Sequence, residues 1–331
     1  MKLLSSLSTF VLYTLFDLVS ATNSPQTCTS IEVRKEWRNL SATERKAWID
    51  AVNIAPVTEN STYYDDLVYA HMDLNPIIHF TGLFFPWHRL YVHEWTNALR
   101  PECGYKGVAP YWAWEKDAAD FENSAMWNTD PESGLGGFGD PDDDYTLKTG
   151  GLDIHLAYPM QVLPHPNRFA GVANVSANST FSQEEVDVLL SQPEGNFTAF
   201  QEYMEKIVGM HSAVHGILGG DLAGLCPKGS SNTSVYPTEG APTFSANEPM
   251  FHMHHGNVDR LWWLWQEKSE INKAAFHGRS VQNMSALAAY PNGQTPWLNK
   301  TSLIPTAGMY ESYSIEQVMD TRSWPLCYVY E

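Results

Sequence analysis

The sequence predicts a mainly helical single domain with long irregular loops and little β structure. Three observations carry this. Trp87 to Arg100 contains neither Pro nor Gly and places Leu90, Val92, Trp95, Ala98 and Leu99 at amphipathic-helix spacing. Phe200 to Leu218 and Asn257 to Lys268 read the same way. Between them, Asp117 to Gly151 is rich in Gly, Asp and Pro, including GLGGFGDPDDDY, the composition of an irregular surface loop. No internal repeat or linker divides the chain.

The first residues read as a secretory signal peptide over 1–21: Lys2, an apolar run from Leu3 to Val19, and the small-residue exit Val19-Ser20-Ala21. Ser5, Ser6, Ser8, Thr9 and Asp17 interrupt that run, which argues against a spanning helix. The expectation is a secreted chain of one domain over 22–331, without stable membrane association. Secretion makes disulfides expected for Cys28, Cys103, Cys226 and Cys327. The preferred pairing is Cys28 to Cys327 and Cys103 to Cys226, one of three possibilities. Eight Asn-X-Ser/Thr sites, at Asn39, Asn60, Asn174, Asn178, Asn196, Asn232, Asn283 and Asn299, fit a glycosylated surface. A net charge of −18 with no Lys/Arg-rich segment excludes the footprint of a nucleic-acid binder.

The twelve histidines are unevenly spread. Asp65 to Arg100 holds His71, His79, His88 and His93, whereas Met210 to Trp265 holds His211, His215, His252, His254 and His255. His211 and His215 lie four apart, so on a helix they share a face and reach one ion together. A third donor comes from Phe251-His252-Met253-His254-His255, and Asp259 stands one turn beyond His255, where a carboxylate can orient a ligand imidazole. His71, His79 and His88 sit in strongly apolar sequence. Two sets of three histidines imply two metals. All-imidazole sets without Cys, Asp or Glu suit copper, iron, nickel or zinc, and of these copper adds reversible one-electron chemistry that zinc lacks.

At these residues the chain resembles the tyrosinase and catechol oxidase family of type-3 copper proteins. The matching stretches are HFTGLFFPWHR, PYWAW at Pro110 to Trp114, HSAVHGILGG and EPMFHMHHGNVDRLWWLWQ. The resemblance runs from about Tyr69 to Gln266 and is similar to the short fungal forms. It implies an antiparallel four-helix bundle holding two copper ions, with dioxygen as co-substrate and small phenols as partners. Carried over by position, it implies that His71, His79 and His88 hold the first copper, and that His211, His215 and His254 hold the second. His255 then supports a ligand rather than being one, while His93, His155, His165, His252 and His277 match no ligand position.

Four departures from the family pattern qualify this. Ile77 stands where many fungal relatives have a thioether-forming cysteine, Thr96 replaces a glutamate, and Ala113 replaces an acid. Ser212 follows the first histidine of the second set, where efficient monophenol hydroxylases often carry Asn, and Glu205 is a displaced candidate for the accompanying glutamate. The expected activity is therefore oxidation of o-diphenols to o-quinones, with weaker monophenol hydroxylation. Gly216, which follows the second helix histidine, and Ala241, thirteen residues before His254 and near where relatives carry a gate side chain, are small, which implies an open entrance. Two other readings are carried: a pathway enzyme that hydroxylates or couples one phenolic substrate, and a hemocyanin-like oxygen-binding protein.

Overall fold

The computed structural model describes residues 26–54, 63–140, 142, 145–154, 176–223 and 244–331. The predicted signal segment, His155, His165, Cys226 and Ala241 lie outside the described residues. Eight α-helices and five short strands appear among the described residues.

The chain enters through β1 (Glu32–Glu36) and α1 (Ala42–Ile54), then reaches α2 (Tyr63–Ile78). Pro76 lies in the last turn of α2, and the chain leaves it through Phe80, whose φ of 53° reverses its direction. The next helix, α3 (Phe84–Cys103), tolerates Pro86 because the first turn has no intrahelical use for that N–H. It stops at Gly104, which adopts φ 70° and returns its N–H to the carbonyls of Leu99 and Arg100. Thus α3 exceeds the predicted Trp87 to Arg100 segment at both ends.

After β2 (Pro110–Tyr111), the Asp117 to Gly151 segment is irregular as expected, but it is not merely a surface loop. Met126, Trp127, Leu135 and Leu147 are buried in the core. Next come α4 (Gln183–Leu190), α5 (Phe197–Met204) and α6 (Met210–Leu218). The single helix expected over Phe200 to Leu218 is therefore two. The break follows from Gly209, whose extended backbone begins α6, and from the turn closed by Gly209 N–H on Lys206 O at 2.8 Å.

The longest second-half helix, α7 (Met250–Gln266), packs along α3, and α2 packs on the same helix. A short α8 (Glu270–Ala274), the hairpin β3 (Arg279–Val281) and β4 (Gln294–Trp297), and β5 (Tyr328–Tyr330) complete the chain. In the three-stranded sheet β1 lies between β2 and β5 and is parallel to both. Cys28 and Cys327 are bridged, which secures the segments flanking β1 and β5 as expected.

Cys103 is a free thiol among the described residues, and its expected partner Cys226 lies outside them. The metal-site motifs meet near His88, whereas Cys103 is fifteen residues further along α3, about 22 Å at 1.5 Å per residue.

The hairpin is seated against the α2–α3 turn. Gly82 donates to Arg279 O at 2.9 Å, and a Cβ on Gly82 would meet Gly278 Cα at 2.8 Å. Two backbones cross there with no room for a side chain.

Candidate metal centre

Four helices supply the histidines. His71 projects from α2 with His79 just past its end, His88 lies on α3, His211 and His215 on α6, and His254 and His255 on α7. Two donor groups result, His71 with His79 and His88, and His211 with His215, His254 and His255, each with ligand atoms within 4.8 Å of one another. The groups adjoin: the His79 and His211 rings are 6.0 Å apart, and His88 stacks on His255 at 4.2 Å.

Their hydrogen bonds prepare them for a cation. Nδ1 of His79, His88 and His215 faces the carbonyls of Asn75 (3.2 Å), Phe84 (2.8 Å) and Leu222 (2.7 Å). A carbonyl only accepts, so each ring carries its proton on Nδ1 and turns the Nε2 lone pair inward. Nε2 of His88 and His211 is buried with no hydrogen-bond partner, as are both ring nitrogens of His254 and His255. Leaving so many buried acceptors unmatched is unfavourable unless metal ions take the lone pairs.

Burial keeps these rings neutral. Desolvation, opposed by the Asn75 and Leu222 carbonyls respectively, lowers His79 and His215 to about 4. The same desolvation, with neighbouring imidazoles, drives His88, His211, His254 and His255 well below the ordinary range. Neutral imidazole is the ligating form. The described donor groups contain no thiol or carboxylate, a set suited to copper.

Other expected roles differ. Asp259 does not orient a ligand histidine. Its Oδ1 accepts from Arg89 Nε and its Oδ2 from the hydroxyls of Tyr328 and Tyr330, with Arg34 3.6 Å away. The one-turn spacing from His255 is present, but the carboxylate points across the helix toward β1 and β5, strands that local sequence cannot place. It joins α7 to Arg89, the residue after His88.

His255 lies beside His254 in the second donor group, with both ring nitrogens buried. Ser212 is partly exposed, its hydroxyl directed to Lys206 O at 3.4 Å, and Gly216 is also partly exposed. Ala113, in place of the family's acid, is buried beside a substitute arrangement in which Arg38 bridges Glu36 and Asp117 and donates to Ala113 O. His252 is sandwiched away from the centre, stacked on Trp95 at 3.6 Å, and His277 pairs with Thr198.

One group had only a weak sequence signal. Glu205, 2% exposed, accepts from Phe80 N at 2.8 Å and from Gln201 Nε2 at 2.6 Å. Gln201 also donates to Thr81 O at 2.7 Å, so α5 holds the turn that follows His79. Burial raises the Glu205 carboxyl to about 8 against these two hydrogen bonds.

The family model for the common central domain of tyrosinase matches residues 61–268. The chain is 31% identical over 344 residues to tyrosinase-like protein phomQ1' of Diaporthe leptostromiformis, covering 94% of this chain and 83% of that protein. It is 27% identical to N-acetyl-6-hydroxytryptophan oxidase ivoB of Emericella nidulans, covering 90% of this chain and 92% of that one. In fold it is similar to a polyphenol oxidase (mutant G292N) from Thermothelomyces thermophila, with a TM-score of 0.68 and 24% identity over 91% of this chain and 89% of that one. With its histidine groups gathered in a helical core, and with the central-domain match spanning α2 through α7, the chain belongs to the tyrosinase family of oxidases, whose members imply a dinuclear copper centre.

Proposed function

We propose that this protein is a secreted oxidase of o-diphenols, converting two catechols and one dioxygen to two o-quinones and two waters. The observation that carries this reading is the pair of adjoining, all-imidazole donor groups with inward-facing Nε2 atoms. His71, His79 and His88 would hold one copper. His211 and His215 would hold the other with a third donor from His254 or His255. His254 is the position the sequence favoured, while the partnerless nitrogens of His255 support it equally. The coppers supply the electron exchange with dioxygen and the Lewis acidity toward a phenolic oxygen.

The chain's own residues supply the rest. The backbone carbonyls of Asn75, Phe84 and Leu222 fix the tautomers of His79, His88 and His215. Phe84 and Phe251 pack against the imidazoles at ring separations of 4.9 Å to His88 and 4.3 Å to His255, excluding water from that side. Partly exposed Ser212 and Gly216 leave a small-residue surface on α6 where a phenol enters.

Weak monophenol hydroxylation follows from the groups near that entrance. Ser212 offers no amide to hold a water, and Glu205 at about 8 is mainly a neutral acid at pH 7, a poor base for a phenol. A catechol binds through two oxygens and needs less help to lose its protons. A narrower reading, a pathway enzyme acting on one elaborated phenol, is supported by the relative whose name specifies N-acetyl-6-hydroxytryptophan.

Oxygen uptake by the copper-quantified protein, with catechol and with phenol, tests the proposal. Uptake with catechol and at most a slow, lagging response with phenol is the expected result. Equal, lag-free uptake with both removes the diphenol preference, and no uptake with either at two coppers per chain removes the reading altogether.

A further inference from the structure

We propose that a cavity beside the metal centre is a subsite for the non-reacting part of the substrate, an apolar arm ending in an N–H or O–H donor. This rests on the oxidase reading above for the reacting end of the molecule. The cavity, about 260 Å³, is walled by Phe80, Ile207, Leu287, Ala288 and Pro291 on its apolar side and by Glu202, Glu205 and Lys206 on its charged side.

Its position ties it to the centre. Phe80 directly follows His79, and Ile207 lies on the turn before α6, four residues ahead of His211. The rings of those two histidines are 6.0 Å apart, so walls of the cavity continue the backbone of one ligand from each donor group. The hydroxyl of Ser212 reaches back to Lys206 O and ties this turn to α6.

The chemistry of the walls selects the occupant. Ile207, in the cavity wall, and Val208 beside it in the chain are 60% and 59% exposed. A single exposed aliphatic residue is ordinary; Ile207 joined in one concave wall by Phe80, Leu287, Ala288 and Pro291 forms a binding surface. Glu205 supplies the buried polar element, while Glu202 and Lys206, also in the lining, are exposed to solvent. Phe80 N and Gln201 Nε2 each donate to one of its oxygens, and the oxygen that carries no proton keeps a further acceptor position. An arm that is apolar along its length and ends in a donor satisfies both features, whereas bare catechol uses neither.

Two measurements on the full-length, copper-loaded protein test this. The first is calorimetric binding of a probe with no ring hydroxyl, N-acetylphenethylamine, to the unaltered protein and to Ala288→Trp. Ala288 is exposed, so the indole fills the cavity without entering the core. Binding that weakens at least tenfold in the variant is expected, on the order of what loss of one apolar contact surface gives. The second is the ratio of KM for catechol to KM for a catechol bearing the same arm. We expect Ala288→Trp to lower that ratio about tenfold, an effect of the same order as the binding loss. We also expect Glu205→Gln to reduce the advantage of arms ending in a donor over arms of equal length ending in a methyl group.

Probe binding that Ala288→Trp leaves unchanged, or no binding at all, overturns the subsite even if catechol is oxidised normally. Binding abolished by Ala288→Trp, in a protein that oxidises no phenol, keeps the subsite and overturns the oxidase reading instead.

Discussion

Replacing Asp259 by Asn removes one negative charge from a deeply buried ionic group. Asp259 is 2% exposed, Arg89 is 0% exposed and Arg34 is 2% exposed. In the unaltered protein the carboxylate accepts from Arg89, Tyr328 and Tyr330, the last at 2.5 Å. Asn keeps the volume but has one acceptor oxygen where Asp has two. Whichever way its amide turns, Arg89 or the tyrosine pair faces an N–H, and two buried guanidiniums share no anion. Arg89 retains the carbonyls of Val318 and Met319, Gln266 and the face of Trp262, which limits the damage. Breaking a buried pair from one side typically costs about 3–5 kcal/mol, a large part of a net stability of about 5–15 kcal/mol. Urea unfolding of Asp259→Asn should show that loss, and a double-mutant cycle with Arg89→Met should show strong coupling. The copper content of the purified variant should fall too, because Arg89 adjoins His88 and Asp259 shares α7 with His254 and His255. A loss below about 1 kcal/mol, or additive single and double variants, would refute the assignment of Asp259 as the junction of α3, α7 and β5.

Three further outcomes are expected. His254→Asn and His255→Asn, compared for copper content, should separate the ligand from its neighbour. The substitution that leaves one copper per chain identifies the third donor, and two coppers in both variants would place the donor elsewhere. His93 is lowered to about 3 by burial and by Arg34 and Arg100. Its native form binds a proton less readily than the unfolded chain, so stability is full above pH 6.5 and falls as pH drops toward 3. At pH 5 this amounts to about 2 kcal/mol; His93→Phe should reduce the pH 7 to pH 5 loss in urea titrations by that order, and an unchanged loss would contradict it. Cys28→Ser should lower stability by about 2–4 kcal/mol through the long loop that the bridge closes. Cys103→Ser should change it by less than about 1 kcal/mol, and thermal denaturation of the two variants checks the contrast.

The donor groups were legible because their information is local. His211 and His215 declare a shared helix face by spacing alone, and the motifs around His71, His79, His88 and His254 are specific. The Cys28 to Cys327 bridge was legible as well, although its structural setting, two parallel strands on β1, was not. Asp259 was misread because spacing along α7 gives its distance from His255 but not which strands approach from the other side. Tyr328 and Tyr330 come from a segment about 70 residues later. The position of Cys103 was not legible either, because α3 runs on without a break for fifteen residues beyond His88. The α5–α6 break depended on a turn whose position Gly209 marks only in retrospect. Glu205 was noticed as a displaced acid, but its hold on the turn after His79 involves Gln201 and Phe80, residues with no polar pattern in common.

The parallel pairing of β5 with β1 also orders events during synthesis. By the time His255 leaves the ribosome, every histidine of the two donor groups has been made, yet Tyr328 and Tyr330 are about 75 residues away. At ribosomal speeds of about 5–20 residues per second, the nascent chain spends roughly 4–15 s with its donors complete and the partners of Asp259 missing. Arg34 waits on β1 through the same interval. During that window a metal ion would meet histidines on helices not yet locked together, and the earliest metal to arrive need not be the one the finished core retains.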